Sequence, residues 1–590
     1  MRGTRGTLIR SPQTRGALYI QKETTVKLKS EINHHIKEAF AKAGIEAEPI
    51  SVSEATKPEF GDYQFNGAMA LAKVLGKNPR QIAMEIAEKI DRSSVISRAE
   101  VAGPGFINLW IDPVWMGERL QEMRADKRLS VLSKEEGVRT VVDYSSPNMA
   151  KQMHVGHLRS TIIGDTLARL FSFLGDEVIR QNHIGDWGTQ FGMLIAYLEA
   201  SGEDAYSSLG DLEQFYKDAK VRFDSDPAFA DMAREYVVKL QGGDPHCQTL
   251  WQQFIDVSLG HCEEVYSKLG VALGRKDVRA ESSYNTLLPS VVEDLRSRSV
   301  LQESDGAQCV FMEGSDVPLI IQKRDGGFLY ATTDLAAIRY RTEVLGAKRI
   351  SYVVDARQAG HFRQVFDVAR RAGFVGEDVW LEHVSFGMML DKSGRPFKTR
   401  DGGTVKLIDL LEEAVTRAKA MIEARGTQEP GDIEAVADIV GIAAVKYAEL
   451  SVNRESNYTF DWDKMLSFEG NTSLYLQYAY ARIQSIFRKH GEEIAGEILL
   501  ADPLEERLGM LLLRFEDVLC AAARESMPHY ITSYLYELTT LFMKFYEQNP
   551  ILKEDISPEL RESRLQLADL TARTIKQGLE LLGIQVLDRL

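Results

Sequence analysis

Residues 138–180 constrain the possible fold more strongly than any other part of the chain. They open with TVVDY (140–144), a β-rich run typical of a strand buried in a parallel sheet. A polar loop at 145–153 follows, and apolar residues then recur at helical spacing until Gly175, a natural helix stop. The pattern returns to a strand at 177–180. A strand–loop–helix–strand unit of this kind predicts a doubly wound, nucleotide-binding α/β fold.

The rest of the chain divides into segments with different patterns. At 590 residues the chain is too long for a single core. Strand patterns disappear after residue 433, and the helical patterns that replace them predict a bundle. We therefore expect a multidomain α/β protein with a Rossmann-like parallel sheet. Its predicted parts are a basic extension (1–22), an N-terminal α+β domain (23–126), a catalytic domain (127–405) with a helical insertion at about 200–300, a helical connector (406–460) and an all-α bundle (461–590).

Periodicity also predicts individual elements within these parts. Apolar residues at helical spacing indicate helices, and short β-rich runs indicate strands. The predicted strands outside the first unit are 106–111, 318–322 and 350–354. The predicted helices are 24–43, 80–90, 333–345, 360–373, 474–489, 506–524, 531–547 and 559–582.

Composition limits the class of protein. The formal net charge of −15 argues against indiscriminate nucleic-acid binding, although it is compatible with a local basic track on a large acidic enzyme. No apolar run approaches the length of a membrane span, so no membrane association is expected. The four cysteines are scattered without a CxxC pair, which predicts no zinc site and fits a reducing cytoplasm. The Arg-rich, acid-poor residues 1–22 leave an organelle transit peptide, or an added or over-long start, as alternatives.

The sequence HVGH (154–157) lies where the polar loop meets the predicted helix. A helix N-terminus presents free backbone N–H groups and the positive end of a dipole, and both attract phosphate. Gly156 allows a ligand to approach the backbone. The imidazoles of His154 and His157 can donate hydrogen bonds to an α-phosphate while pyrophosphate is displaced. The alternative is two histidines near a helix start with a capping glycine.

The residues around HVGH resemble the HIGH region of the arginyl-tRNA synthetases, a family of class I aminoacyl-tRNA synthetases. The resemblance extends well beyond four positions and covers the chain from about residue 25 to Leu590. The segments that carry it are SSPNMAKQMHVGHLRST (145–161), NHIGDWGTQFG (182–192), FLYATTD (328–334), FGMM (386–389), FKTRDG (397–402) and FDW (460–462).

The resemblance implies a two-step reaction. L-Arginine attacks ATP to give arginyl-adenylate and pyrophosphate, and the 2′-hydroxyl of the terminal tRNA(Arg) adenosine then takes the arginyl group with release of AMP. The family typically needs tRNA even for the first step, needs Mg²⁺, and is often monomeric. The sequence itself identifies no magnesium ligand.

The second ATP-binding loop departs from the class I pattern. Class I enzymes usually carry a KMSKS loop, and the matching residues here are RPFKTR (395–400). Family members that lack KMSKS are thought to use a lysine just before the HIGH motif, which is Lys151 here. Lys398 and Arg400 can share the role of stabilising pyrophosphate. The alternative for Lys151 is a solvated loop lysine.

A pocket for arginine needs carboxylates, because a guanidinium is planar and always charged. The resemblance places Tyr330 and Asp334 at the guanidinium. These residues are four apart, so they share a helix face if the predicted helix at 333–345 begins a turn earlier. Asp143 is the second carboxylate candidate. The alternative for Asp334 is a helix cap.

Three further residues match substrate-binding positions of the family. Asn148 and Gln358 match residues that hold the α-amino and carboxylate groups of arginine. Glu281 matches an acidic residue of the pocket, and an ordinary surface carboxylate is an equally acceptable interpretation of it.

The helical bundle is the expected anticodon reader. Aromatic side chains beside cations suit the recognition of splayed single-stranded bases, and the tRNA-binding candidates are Tyr475, Tyr478 and Arg482. Gln477, Tyr480 and Arg488 lie close to them in sequence, and the alternative for any one tyrosine is the bundle core. The N-terminal domain resembles the family's extra domain, which contacts the tRNA elbow.

Two other classes of protein stay open at this point. One is a different HxGH enzyme, either another class I synthetase or a small-molecule nucleotidylyltransferase, although the latter are usually short and have no bundle. The other is a non-catalytic tRNA-binding relative. The absence of zinc spacing and of KMSKS favours the arginine enzyme, and the presence of His154, His157 and Lys151 disfavours loss of activity.

Overall fold

The structure is a computed structural model that divides into two compact units. Of the described residues, one unit contains those within 134–467 and 581–584, and the other contains those within 27–133, 468–580 and 585–590. The described residues are 27–46, 50–134, 137–149, 151–201, 212–312, 317–397, 405–426 and 432–590. The basic extension, Lys398 and Arg400 therefore lie outside the described residues.

The N-terminal module is an antiparallel sheet packed against helices. Its strand order is β1-β2-β4-β3, and β3 and β4 form a hairpin around Gly103 and Gly105. Asn78 caps the third helix by accepting a hydrogen bond from the Arg80 N–H, with Pro79 at the first helical position. The elements are α1 (Lys27–Lys42), β1 (Ser53–Glu54), β2 (Tyr63–Phe65), α2 (Ala68–Leu75), α3 (Pro79–Ala87), β3 (Ile96–Ala102), β4 (Phe106–Ile111) and α4 (Pro113–Ala125).

The central unit is built on a four-stranded parallel sheet with helices around it. A separate three-stranded antiparallel sheet and a short parallel strand pair accompany it. The elements are β5 (Arg139–Asp143), α5 (Val155–Phe173), β6 (Glu177–Gln181), α6 (Thr189–Ser201), α7 (Leu212–Ser225), α8 (Pro227–Gln241), α9 (Pro245–Leu269), α10 (Leu288–Ser297), β7 (Gln302–Ser304), β8 (Ala307–Val310), β9 (Leu319–Gln322), α11 (Tyr330–Arg339), β10 (Arg349–Tyr352), α12 (Ala359–Arg371), β11 (Trp380–His383), β12 (Met389–Leu390), α13 (Leu407–Arg425), α14 (Ile433–Leu450), β13 (Tyr458–Thr459) and α15 (Trp462–Met465).

Helix α5 packs unusually closely on the strand before it. A Cβ atom added at Gly164 would lie 2.2 Å from the Cβ of Tyr144, so only glycine allows this approach. The helix ends at Phe173, and Gly175 follows with a φ of 99° that glycine adopts without strain. The predicted strand–loop–helix–strand unit is therefore confirmed, and it places the start of α5 directly beyond the end of β5.

The C-terminal part is entirely helical in the residues that the structure describes. A single helix was expected over 506–524, but it breaks at Arg514, whose guanidinium pairs with Glu54 of the N-terminal module. The helices are α16 (Ser473–His490), α17 (Pro503–Leu513), α18 (Phe515–Glu525), α19 (His529–Gln548) and α20 (Pro558–Leu581).

The bundle and the N-terminal module share apolar packing within their common unit. Met510 of α17 is buried in the same cluster as the core of the module, including Ile82, Ile107 and Met116. The sequence predicts separate domains at 23–126 and 461–590, and no local pattern indicates that they share a core.

Two observations concern the described residues as a whole. None of the described helices is both long and apolar enough to cross a membrane. All four cysteines are buried and free.

Candidate active site

The parallel sheet has a topological switch point at its carboxyl edge. The strands run in the order β6-β5-β10-β11, so the chain leaves β5 to one side and reaches β10 on the other. Asp143, the last residue of β5, is in register with Tyr352, the last residue of β10. Ligands of doubly wound sheets bind in the crevice at such a switch point. The residues expected to bind substrates lie around this edge.

The N-terminus of α5 fixes both histidines through the backbone. His154 is the N-cap residue, and its Nδ1 accepts a hydrogen bond from the Gly156 N–H at 3.0 Å. The Nδ1 atom of His157 accepts from the His154 N–H at 3.1 Å, and the two ring centroids are 4.0 Å apart. Because Nδ1 accepts in both rings, a neutral imidazole at either position carries its proton on Nε2.

The charge state of His157 follows from its surroundings. Burial and the neighbouring His154 lower the pKa of His157 to about 3. The ring is therefore neutral at physiological pH, and it can donate a hydrogen bond through Nε2 without adding a positive charge.

Gly156 is needed at its position for a local reason. It is exposed, and a Cβ added there would lie 2.7 Å from Cε1 and 2.8 Å from Nδ1 of His154. A larger residue would push the His154 ring out of its place in the cap. Gly156 therefore leaves room for the His154 ring, and it also allows a ligand to approach the backbone.

The segment that follows the residues RPFKTR (395–400) joins this helix start. The Val155 N–H donates to the Val405 carbonyl at 3.1 Å, and the Leu407 N–H donates to the Met153 carbonyl at 2.9 Å. The residues at 405–407 are thereby tied to the HVGH segment. Lys151 is exposed in the same loop, and its Nζ lies 4.3 Å from the ring centre of Tyr216 on α7, in a cation–π contact.

Asp143 is buried and already has partners in the protein. Its Oδ2 accepts from Nη2 of the fully buried Arg341 at 2.6 Å, and its Oδ1 accepts from the Ser146 hydroxyl at 2.9 Å. A carboxylate with both oxygens engaged, one by a guanidinium, has little free charge for a second guanidinium. The contacts of Asp143 therefore do not support its expected place as the second carboxylate for the substrate.

Tyr330 and Asp334 lie on one face of α11. The helix begins at Tyr330, three residues before the predicted start, so the two side chains are one turn apart as the resemblance requires. Asp334 lies in the second turn, which excludes the helix-cap alternative. Tyr330 is 72% exposed. Oδ2 of Asp334 accepts a hydrogen bond from Nε2 of His361 at 2.6 Å.

Glu281 lies close enough to Asp334 for the two carboxylates to interact. Burial, together with the charges of Asp186 and Asp334, raises the pKa of Glu281 to about 7. Asp186 is buried and accepts hydrogen bonds from the Ser282 N–H and hydroxyl, which hold the turn that starts at Glu281. Two neighbouring carboxylates favour the binding of a positive charge.

Asn148 and Gln358 are both exposed near the carboxyl edge of the sheet. Asn148 follows β5, and its Oδ1 accepts a hydrogen bond from Nε2 of Gln190 at 2.7 Å. Gln358 ends the short 3₁₀ turn Ala356–Gln358 that leads from β10 into α12. Amide side chains at these positions are accessible to polar groups of a substrate.

Known proteins match the chain over nearly all of its length. Three family models match in order along it, and together they extend from residue 27 to residue 590. They describe the N-terminal domain of arginyl tRNA synthetases (27–111), the catalytic domain of class I (R) tRNA synthetases (119–462) and the DALR anticodon-binding domain (476–590).

The chain belongs to the arginyl-tRNA synthetase family. An arginine–tRNA ligase of Cellvibrio japonicus is 53% identical over 95% of this chain and 99% of its own length. The ligase of Laribacter hongkongensis is also 53% identical, over 93% and 97%. The crystal structure of the Plasmodium falciparum arginyl-tRNA synthetase superposes with a TM-score of 0.83 at 31% identity, covering 95% of this chain and 99% of the other.

The candidates for tRNA contact in this arginyl-tRNA synthetase family member lie on one face of α16. Tyr475 packs edge-on against Tyr536 of α19, with ring centroids 5.9 Å apart. The guanidinium of Arg482 donates to the Tyr478 hydroxyl at 3.2 Å and lies over the ring of Tyr546. All three candidates are half-buried. Gln477 and Tyr480 are buried, so for them the bundle core is the correct interpretation.

Sequence reasoning missed three residues of the site. Arg341 neutralises Asp143, Asp186 holds the turn that carries Glu281, and His361 holds Asp334. Asp186 lies within the segment 182–192, which resembles the family. That resemblance is a sequence signal from which a role for Asp186 in the site could have been predicted. Arg341 and His361 act across 198 and 27 residues of sequence, which no local pattern reveals.

Proposed function

We propose that this chain ligates L-arginine to tRNA(Arg) at the expense of ATP. The carboxylate of arginine attacks the α-phosphorus of ATP, the bond to the bridging oxygen breaks, and pyrophosphate leaves. The 2′-hydroxyl of the terminal adenosine then attacks the arginyl carbonyl and releases AMP. The observation that carries the proposal is the HVGH helix start, which follows the parallel strand β5 and is accompanied in the same unit by the interacting carboxylates Glu281 and Asp334.

The start of α5 binds the phosphates in this proposal. The helix N-terminus attracts the negative charge, and His154 and His157 donate through Nε2 to the α-phosphate as the negative charge shifts toward pyrophosphate. The neutral state of His157 supports this role, since its proton is then a hydrogen-bond donor and not a titrating charge. Gly156 keeps the first ring in place.

Pyrophosphate is stabilised by cations from two loops. Lys151 supplies one positive charge from the loop before α5, and Lys398 and Arg400 supply others from the loop that precedes Val405. The hydrogen bonds of residues 405–407 to the HVGH segment support a common location for these groups. Swinging from the ring of Tyr216 to phosphate moves the Lys151 ammonium from one favourable contact to another.

Asp334, Glu281 and Tyr330 bind the guanidinium of arginine. Asp334 supplies the principal carboxylate, and Glu281 becomes the second when the incoming cation favours its ionised form. Asn148 and Gln358 hold the α-amino and carboxylate groups. Asp143 stands behind this pocket, where its ion pair with Arg341 fixes the end of β5.

The remaining parts of the proposal concern partners and setting. The bundle reads the anticodon with Tyr475, Tyr478 and Arg482, and the N-terminal module (23–126) contacts the tRNA elbow. Mg²⁺ enters with the phosphates of ATP. The chain acts as a monomer in the cytoplasm, which fits its four free, buried cysteines.

Pyrophosphate exchange with ATP and each of the amino acids, with and without total tRNA, tests the function directly. Exchange that requires both arginine and tRNA is the expected result. Exchange with a different amino acid would leave the phosphate site intact and overturn the arginine pocket. Protein that binds tRNA but gives no exchange with any amino acid would be a non-catalytic relative.

A further inference from the structure

The carboxylate proposed to bind the substrate guanidinium is held by a histidine from another helix. Nε2 of His361, in the first turn of α12, lies 2.6 Å from Oδ2 of Asp334 on α11. The side chains are 27% and 19% exposed, so the pair is partly accessible to solvent and is not part of the closed core. A hydrogen bond this short between two helices fixes the rotamer of Asp334.

The hydrogen bond occupies only one side of the carboxylate. Among the described residues, none donates a hydrogen bond to Oδ1 of Asp334, so that oxygen remains for a ligand. Neutral His361 donates its Nε2 proton and leaves the full negative charge on Asp334. Protonated His361 holds the carboxylate as well but offsets its charge.

We propose that His361 is a positioning residue for arginine recognition, which orients Asp334 toward the substrate guanidinium through its Nε2–H. This inference rests on the proposed function. A guanidinium demands planar, fork-like geometry of its partner carboxylate, so freedom of Asp334 to rotate weakens the contact. His361 does not touch the reacting atoms, and its loss leaves the phosphate end of the site unchanged.

The titration of His361 has a direction that follows from its neighbours. The hydrogen bond to Asp334 raises the pKa of His361 above its ordinary value, against the effect of burial. Below that pKa the imidazolium competes with the guanidinium for one carboxylate, so arginine affinity falls as the pH falls. The other titratable or charged groups around this face are Glu281, His183, Tyr352, His383 and the ion-paired Asp355 and Arg357.

His361→Ala and His361→Gln, compared in tRNA-dependent pyrophosphate exchange, test the inference. Alanine removes the donor, and we expect the KM for arginine to rise about ten- to hundredfold while the KM for ATP stays within about twofold. Glutamine offers an N–H donor near the position of Nε2 and is expected to restore most of the arginine affinity. It has no imidazolium form, so its arginine KM is expected to change less between pH 8 and pH 6 than that of the wild type.

His246→Ala is the matched control. His246 pairs with Glu199 at 2.8 Å in the helical insertion, so its loss removes a similar histidine–carboxylate contact outside the site. The control is expected to keep the wild-type KM for arginine.

Three results would overturn the role of His361. They are an unchanged arginine KM in His361→Ala, an equal rise in the KM values for arginine and ATP, and a His361→Gln variant no better than alanine. Failure of the proposed function is a separate result, because the wild-type protein itself would then give no exchange that depends on arginine.

Discussion

The two ends of the candidate site are built on opposite principles. The phosphate end consists of one continuous segment, His154–Val155–Gly156–His157, in which backbone N–H groups orient both rings at a helix start and His157 is neutral. The arginine end collects carboxylates from separate segments, with Asp334 on α11 and Glu281 in a turn far before it, and its charge responds to pH. His157 at the candidate phosphate end thus stays neutral across the physiological pH range, whereas Glu281 at the candidate arginine end changes its charge within it.

His157→Ala is expected to break the phosphate end with the largest effect. Loss of a preorganised donor to charge that develops in the transition state lowers the exchange kcat about 10²- to 10³-fold. The KM for arginine is expected to change little, because the carboxylates are untouched. Rates from single-turnover adenylate formation measure the effect, and circular dichroism checks the fold. Near-normal exchange in this variant would remove His157 from the mechanism.

Asp334→Asn is expected to break the arginine end with the next largest effect. The substitution keeps the shape of the side chain and removes its charge, so kcat/KM for arginine falls about thirty- to hundredfold while the KM for ATP is nearly unchanged. Asp367→Asn is the control, since Asp367 is an exposed carboxylate of α12 paired with Arg371. An equal loss for arginine and ATP would indicate a damaged fold instead of a lost contact.

The pH dependence of the two KM values sharpens the comparison. The pKa of Glu281 is raised to about 7, so this group is protonated below that pH in the empty pocket and ionised above it. The KM for arginine is therefore expected to rise about tenfold from pH 8 to pH 6, and Glu281→Gln is expected to flatten most of that rise. His157, with a pKa of about 3, adds no titration to ATP binding in this range. A steep pH dependence of the KM for ATP, without one of the KM for arginine, would contradict the expectation that the arginine end titrates in this range and the phosphate end does not.

Gly156→Ala is expected to have the smallest of these effects. The new Cβ meets the His154 ring at 2.7 Å, and the ring must shift by several tenths of an ångström. We expect the exchange kcat to fall about fivefold, since small misplacements of a catalytic group are costly. Gly260→Ala on α9 is the matched control, because no atom lies within 4 Å of its added Cβ. A kcat equal to that of the control variant would show that the ring position is not critical.

The same contrast explains which parts of the site the sequence predicts. The strand, the loop and α5 follow one another in the chain, so local patterns reveal the phosphate end, and the structure confirms this unit. The arginine end depends on contacts between distant segments. Helix α11 begins three residues before its predicted start, and the Thr332 hydroxyl in its first turn donates to the Ile321 carbonyl of β9, a contact with a separate segment. The pairing of Asp143 with Arg341 has no local signal at all.

The other predictions made from the sequence depend on its resemblance to the family. The family, the parallel-sheet catalytic domain and the helical C-terminal part are confirmed by the matched family models and the solved relative. The roles of individual residues stay predictions, among them those of Lys398 and Arg400, which lie outside the described residues. The break at Arg514 was not predicted, and the contact that its guanidinium makes there is with Glu54, 460 residues away in the sequence.

The shared core of the N-terminal module and the bundle has a consequence for synthesis on the ribosome. Met510 fills a core whose other side chains are translated roughly 400 residues earlier, which at about 5–20 residues per second is a delay on the order of 20 to 80 s. Throughout that interval the nascent module exposes the apolar surface around Trp115 that Leu513 and Met510 later cover. A chaperone that shields this surface during translation would raise the yield of folded protein, most of all at high expression.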